Sequence, residues 1–300
     1  MIAELFFLYA YIYNMKSFNE KLEELIDRAL EEDLGDGDHS TLSVIPAGKR
    51  GKAVLKIKES GILAGMAVAE KIFRYKEPDL IFKADKKDGE WANAGETAFE
   101  LEASVYTILT CERLVLNCMQ RMSGIATLTH QYVEKIKDYS TRLLDTRKTT
   151  PNFRLLEKEA VRIGGGVNHR FGLYDMIMLK DNHIDFCGGV ASAINAADTY
   201  NRTLPKPLRI EVETRTLADV QEVLRVGEGK VFRIMLDNFS PARLSEALAL
   251  IDHRYETEAS GGINLDTIVS YARTGVDFIS VGGLIHQARS IDLSLKAVIL

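Results

Sequence analysis

Near the start of the chain apolar residues recur at helical spacing. Phe18, Leu22, Leu25, Ile26, Ala29 and Leu30 fall on one face of a helix over 17–34, and Gly35-Asp-Gly-Asp38 stops it. Runs at 51–57, 61–63 and 99–105, separated by glycines and charged turns, predict strands. Over 108–122 a second apolar stripe passes through Cys111, Val115, Cys118, Met119 and Met122, residue types that read as core rather than as chemistry. Gly124 is expected to break this helix before another over 128–136. The first third therefore predicts a small α+β unit.

Beyond Ser140 the regularity changes. Short apolar runs end in polar residues or glycine: Leu143-Leu-Asp145, Met176-Ile-Met-Leu-Lys180, Ile210-Glu-Val-Glu213, Ile234-Met-Leu-Asp237, Tyr255 to Ser260, and Phe278-Ile-Ser-Val-Gly282. Helical patterns at 190–197, 217–224, 242–250 and 265–274 lie between most of them, so the segment alternates as βα units around a parallel sheet. Units in this number predict an α/β barrel, whose functional groups gather at the carboxyl ends of the strands. One mouth would then collect Arg147, Lys148, Lys180, Glu213, Asp237 and two glycine pairs. Glu211 and Glu213 alternate with Ile210 and Val212, which puts both carboxylates on one strand face.

Charge sharpens the picture. The 300-residue chain carries a formal net charge of -5, yet Arg147, Lys148, His169, Arg170 and Lys180 crowd into one Gly-rich stretch. That combination indicates a focused anion site and argues against nonspecific nucleic-acid binding, which needs a basic stripe. Three cysteines without a CxxC pair suit a reducing, cytoplasmic compartment. The apolar stretch 1–14 is shorter than the span of about 20 residues that a bilayer needs, so no membrane segment is expected, and Met15 is favoured as the natural start.

The residue types suggest their chemistry. Arginine forks onto carboxylates and phosphates, and lysine offers a compact charge to phosphate. Gly164-Gly-Gly lacks the Gly-Lys-Ser/Thr ending of a nucleotide-triphosphatase loop and is either a linker or, with His169-Arg170 beside it, part of a site. Glu213 and Asp237 at neighbouring strand ends suit Mg²⁺, or else pair with nearby cations. Ser260-Gly261-Gly262 and Gly282-Gly283 allow close backbone approach to a phosphate, or are tight turns.

Taken in order, Asp145-Thr-Arg-Lys-Thr-Thr-Pro, Gly164-Gly-Gly-Val-Asn-His-Arg, Leu179-Lys-Asp-Asn-His, Glu211-Val-Glu, Leu236-Asp-Asn-Phe, Ser260-Gly-Gly-Ile and Val281-Gly-Gly resemble the quinolinate phosphoribosyltransferases. The resemblance runs from about Ser17 to the C-terminus. It implies an incomplete (β/α) barrel of six or seven parallel strands over 127–286. An N-terminal α+β open-sandwich domain over 15–126 would precede it, with a C-terminal helix over 287–300 packed on that domain. The implied reaction joins quinolinate to phosphoribosyl pyrophosphate and releases pyrophosphate and CO₂, giving nicotinate mononucleotide with Mg²⁺ and no organic cofactor.

By the same resemblance Arg113, Thr146, Arg147, His169, Arg170 and Lys180 bind quinolinate. Lys148, Glu213, Asp237, Ser260, Gly261, Gly262, Gly282 and Gly283 bind phosphoribosyl pyrophosphate; Lys148, Lys180, Glu213 and Asp237 are catalytic, and Glu213 and Asp237 hold the metal. Arg113 would enter a neighbouring subunit's site, which implies a homodimer at least. Asp38-His-Ser-Thr41 and the connection Gly227-Glu-Gly-Lys230 depart from the family pattern without removing a site residue. Rival readings are a Schiff-base aldolase using Lys148 or Lys180, a nicotinate-specific transferase, a related protein of molybdate-uptake clusters, and a non-catalytic anion sensor.

Overall fold

The computed structural model describes residues 16–298; the expected extension at 1–14 lies outside them. The first helix, Phe18–Leu34, starts where a capping box forms: the Glu20 amide donates to Ser17 Oγ (3.3 Å) and the Ser17 amide to the Glu20 carboxylate (2.6 Å). It buries Leu22, Ile26 and Leu30, and Gly35 ends it at φ 50°. The strands are β1 (Arg50–Ile57), β2 (Gly61–Ile62), β3 (Ile81–Ala84), β4 (Trp91–Ala92), β5 (Thr97–Ser104), β6 (Arg142–Leu144), β7 (Ile177–Leu179), β8 (Ile210–Thr214), β9 (Arg233–Asp237), β10 (Glu256–Ser260), β11 (Phe278–Ser280) and β12 (Leu293–Val298).

The chain forms two compact units. The first takes residues up to 124, then 151–159 and the residues from 290 on. Its antiparallel sheet has the order β12-β1-β5-β3. Ala53, Leu55 and Ile57 face the core from β1, where Phe99 of β5 meets Phe73 edge-on at 6.1 Å and Phe82 at 4.6 Å. A correction falls at the C-terminus: residues 293–298, expected to be helical, form the edge strand β12, paired antiparallel with β1 from Leu293↔Ile57 to Val298↔Lys52. Leu293 and Leu295 are buried while Ser294 and Lys296 are not, a period of two that suits a strand and leaves a helix with no apolar face.

The expected break at Gly124 is also absent. One helix runs from Val105 to Ile136, because buried residues at Cys118, Met119, Met122, Ile125 and Ala126 continue the 3.6-residue period through the glycine. Their burial outweighs the roughly 1 kcal/mol that a helical glycine costs. Ser123 Oγ, on the same helix, accepts from the Ala64 amide (2.9 Å) and donates to the Ala64 carbonyl (3.1 Å), which satisfies buried backbone with a side chain.

The second unit, residues 125–150 and 160–289, holds a parallel sheet in the order β6-β11-β10-β9-β8-β7. Chain neighbours β7 to β11 pair in sequence and β6 joins the far side of β11, so β6 and β7 are the two edges and the barrel stays open between them. The described strands number six, within the expected six or seven. Helices Val190–Asn201, Leu217–Val226 and Pro241–Ile251 follow β7, β8 and β9 in the expected alternation. After β10 the expected helix shrinks to Ile268–Ala272.

Gly164-Gly-Gly is packing rather than linker. A Cβ at Gly164 would stand 2.5 Å from the Ala126 carbonyl oxygen, and one at Gly166 would stand 2.7 Å from Val161 Cγ1. The close approach lets Val167 bridge to Leu144, with the Val167 amide on the Leu143 carbonyl at 2.8 Å, and so delivers His169 to the end of β6.

Candidate active site at the strand ends

A cavity of about 900 Å³ opens in the second unit at the carboxyl ends of its strands. Each strand contributes: Thr146, Arg147 and Lys148 after β6, Lys180 after β7, Glu213 from β8, Asp237 from β9, Ser260-Gly261-Gly262 from β10, and Gly282-Gly283 after β11. His169 and Arg170 join them from the loop after the glycines. Residues spread over more than a hundred positions are brought together because parallel strands all present the same end. Arg113 belongs to the first unit, on an exposed stripe with Leu109 and Asn117 along the helix Val105–Ile136.

The cations are short of acceptors. Arg147 Nε is buried without a hydrogen-bond partner, and burial together with the charge of Arg147 pushes Arg170 below its usual range. Arg170 Nη1 donates to the Met176 carbonyl at 3.1 Å. Two guanidiniums that disfavour each other in a partly dry cavity are stabilised by an anion. Lys180 is about half exposed, and its Nζ lies 3.3 Å from Glu213 Oε2; Glu213 Oε1 accepts the Asp181 amide at 3.3 Å.

The glycine pair after β10 forms a close contact. Gly261 has φ 95°, and a Cβ there would fall 2.2 Å from Asn238 Oδ1. Asn238, itself at φ 58°, donates its amide N–H to the Ser260 carbonyl (2.8 Å) and its side-chain nitrogen to Asp237 (2.6 Å). One asparagine thus ties the acidic tip of β9 to the glycine loop of β10. Gly282 admits Lys148, whose Cδ would lie 2.9 Å from an added Cβ.

Below this mouth His169 lies between backbone contacts on one side and two carboxylates on the other. Asp145 accepts its amide at 2.8 Å, Nδ1 accepts the Arg170 amide at 2.7 Å, and Nε2 lies 3.0 Å from Glu211 and 3.3 Å from Glu258. Burial pushes the imidazole pKa down while Glu211 and Glu258 push it up, so the Nδ1 contact decides where the proton sits. The Arg170 N–H opposes a second proton, because Nδ1 cannot accept and be protonated at once; Nε2 carries the proton that faces the carboxylates. Burial and the charge of Glu258 raise Glu211 to about 7, whereas His169, Ser280 and Arg233 offset burial and lower Glu258.

Comparisons with known proteins identify the family. Residues 38–123 match the quinolinate phosphoribosyl transferase N-terminal domain, and residues 125–296 match the C-terminal domain of the same name. The chain belongs to the quinolinate phosphoribosyltransferase family. A relative from Nicotiana tabacum, named quinolinate phosphoribosyltransferase [decarboxylating] 1b, is 43% identical over 288 residues, covering 92% of this chain and 82% of the relative. One from Arabidopsis thaliana, named nicotinate-nucleotide pyrophosphorylase [carboxylating], chloroplastic, is 42% identical with the same coverage. The crystal structure of NadC from Streptococcus pyogenes superposes with a TM-score of 0.87 at 40% identity, over 96% of this chain and 100% of that one.

For this member of the quinolinate phosphoribosyltransferase family, the sequence left several cavity residues unmarked: Asn238, Glu258, His286 and Gln287. It also left Arg233, buried beneath them. A signal was present for two of these. Arg233 interrupts the apolar run Val231–Leu236, and Glu258 stands two residues before Ser260, which the strand period turns inward with it.

Proposed function

We propose that this enzyme transfers the phosphoribosyl group of phosphoribosyl pyrophosphate to quinolinate and releases pyrophosphate and CO₂, yielding nicotinate mononucleotide for NAD synthesis. The observation that carries the proposal is the pairing in one cavity of under-neutralised guanidiniums, Arg147 and Arg170, with acidic tips at Glu213 and Asp237. The first group fits the two carboxylates of a pyridine diacid, and Thr146 and Lys180 complete that side. Lys148, beside Gly282, and the Ser260-Gly261-Gly262 turn fit the phosphates of the donor.

Glu213 and Asp237 end neighbouring strands, and two carboxylates are too few for an all-protein cage. They match a hard cation that keeps its water and takes substrate oxygens, so they would hold Mg²⁺, which would supply neutralisation of the pyrophosphate. The pyridine nitrogen forms its bond to the anomeric carbon as the bond to pyrophosphate breaks. The ring nitrogen is then positive, the carbon–carbon bond to the C2 carboxylate breaks, and the electron pair left at C2 takes up a proton. Lys148 offsets the leaving charge, while Arg147 and Arg170 hold the diacid in line. Lys180 Nζ lies 3.3 Å from Glu213 Oε2, a contact that would have to break before Lys180 could act as an amine nucleophile of the aldolase kind.

The subunit arrangement we favour is a homodimer in which Arg113 reaches the neighbouring site. Mixing inactive Arg113→Ala and Lys148→Ala chains should restore activity, and none after verified subunit exchange would overturn it. We place the enzyme in the cytoplasm, on the strength of three free thiols, Cys111, Cys118 and Cys187. Among the described residues no helix is long and apolar enough to cross a membrane. The central experiment incubates the protein with quinolinate, phosphoribosyl pyrophosphate and Mg²⁺ and follows nicotinate mononucleotide and CO₂ together. Equal turnover of nicotinate, or no product, would refute the proposal.

A further inference from the structure

Under the mouth lies a layer of charge that the reaction above does not use. Glu211 and Glu258 are fully buried and Arg233 nearly so. Strand register aligns Glu211 with Arg233, and Glu258 with Met235 one step further on. Arg233 Nη1 reaches Glu258 at 3.1 Å and approaches Glu211 at 3.8 Å, Nη2 reaches Glu256 at 2.8 Å, and the guanidinium covers the Phe278 ring at 4.2 Å. Both buried carboxylates converge on His169 Nε2.

Three ligand atoms from His169, Glu211 and Glu258 lie within 4.8 Å of one another, the spacing of a metal site. The Arg233 guanidinium already supplies the cation there. Stability alone does not call for such a layer, since apolar residues of equal volume serve as well or better in a core. What the ions add is direction. Nε2 is fixed by carboxylates, Nδ1 receives the Arg170 amide, and the Arg170 guanidinium is pinned in turn to the Met176 carbonyl.

We propose that Glu211, Arg233 and Glu258 are positioning residues, which hold the His169 imidazole by its Nε2–H edge and, through the Nδ1 contact to the Arg170 backbone, aim the guanidinium that meets the acceptor's carboxylates. The substrate part of this inference rests on the quinolinate reading given above; the frame itself does not.

The test uses Glu258→Gln, Glu211→Gln and Arg233→Lys in the full chain, each checked for folding by its unfolding temperature. Glu258→Gln should raise the KM for quinolinate about tenfold or more, the loss of roughly one charge-assisted contact, with the KM for phosphoribosyl pyrophosphate within about twofold of its starting value. Glu211→Gln should act in the same direction, and Arg233→Lys, which keeps the charge, should fall between. A parallel rise in both KM values, or a lower unfolding temperature with an unchanged quinolinate KM, would overturn the proposal.

A second readout needs no substrate. In protein carrying ¹⁵N-labelled histidine, the resonances of the six imidazoles can be assigned with a His169→Asn variant. His169 should show a protected Nε2–H that shifts in Glu258→Gln. A proton found on Nδ1 instead would overturn the frame. If the frame signature appears but wild-type protein makes no nicotinate mononucleotide, it is the functional reading that fails and the frame that stands.

Discussion

The two sheets treat charge in opposite ways. In the antiparallel sheet, ion pairs such as Lys52–Glu102 and Lys83–Glu100 sit on the outer face with side chains 35–65% exposed, while every second residue of β1 faces the core. In the parallel sheet, Arg233 and Glu258 meet at 7% and 0% exposure, inside the ring of strands. Outward charges follow from alternation and cost almost nothing. Inward charges are expensive to desolvate, so a protein that holds them has partners for them or a use for them. The difference separates a sheet that serves as scaffold from one that builds a site.

The largest effect should come from removing the sealed cation. Arg233→Met leaves Glu258 and Glu211 buried without their guanidinium and should destabilise the protein by about 3–5 kcal/mol, read from urea unfolding. A change no greater than that of an exposed pair would erase the contrast between the sheets.

Next in size is Arg147→Ala at the mouth. Removing a charge-assisted contact of roughly 1.5–3 kcal/mol should lower kcat/KM by about one to three orders of magnitude. Stability should hold or rise, because Arg170 loses a like-charged neighbour. An Arg147→Ala protein that kept near-normal kcat/KM for both substrates would remove Arg147 from the site.

These residues were unequally visible in the sequence. Arg147, Lys180, Glu213 and Asp237 stood out because each ends an apolar run, and barrel topology converts run ends into one mouth. Arg233 and Glu258 were hidden inside runs, where parallel strands look uniformly apolar and a charge reads as noise until the register places it beside an opposite one. Gly164-Gly-Gly drew attention as a loop, yet its role is contact with Ala126 and Thr129, partners that only tertiary structure supplies. At Gly124 and in β12 local cues lost to packing: a glycine rode through a buried helix, and a terminal segment filled the free edge of β1.

A smaller effect tests whether the mouth is as rigid as its floor. Gly261→Ala combines a left-handed φ with a Cβ 2.2 Å from Asn238 Oδ1, so Asn238 must move and release Asp237. Strain of about 1–3 kcal/mol is expected, with a comparable loss in kcat/KM. Gly262→Ala has a positive φ but open space around the added carbon, so its cost should be limited to about 1–2 kcal/mol of backbone strain. Equal penalties at the two glycines would mean that the Asn238 contact contributes nothing.

The smallest effect belongs to the scaffold sheet. Lys52 and Glu102 are directly opposed across β1 and β5, 3.2 Å apart and open to water. A double-mutant cycle to alanine should return a coupling of only about 0–1 kcal/mol, fading as salt is added, because solvent screens the pair and two long side chains lose freedom to make it. The same cycle on Arg233 and Glu258 should resist salt. If the outer pair proved as strong and as insensitive to salt as the inner one, exposure would not be what separates the two sheets, and the inference from buried charge to a positioned site would lose its footing.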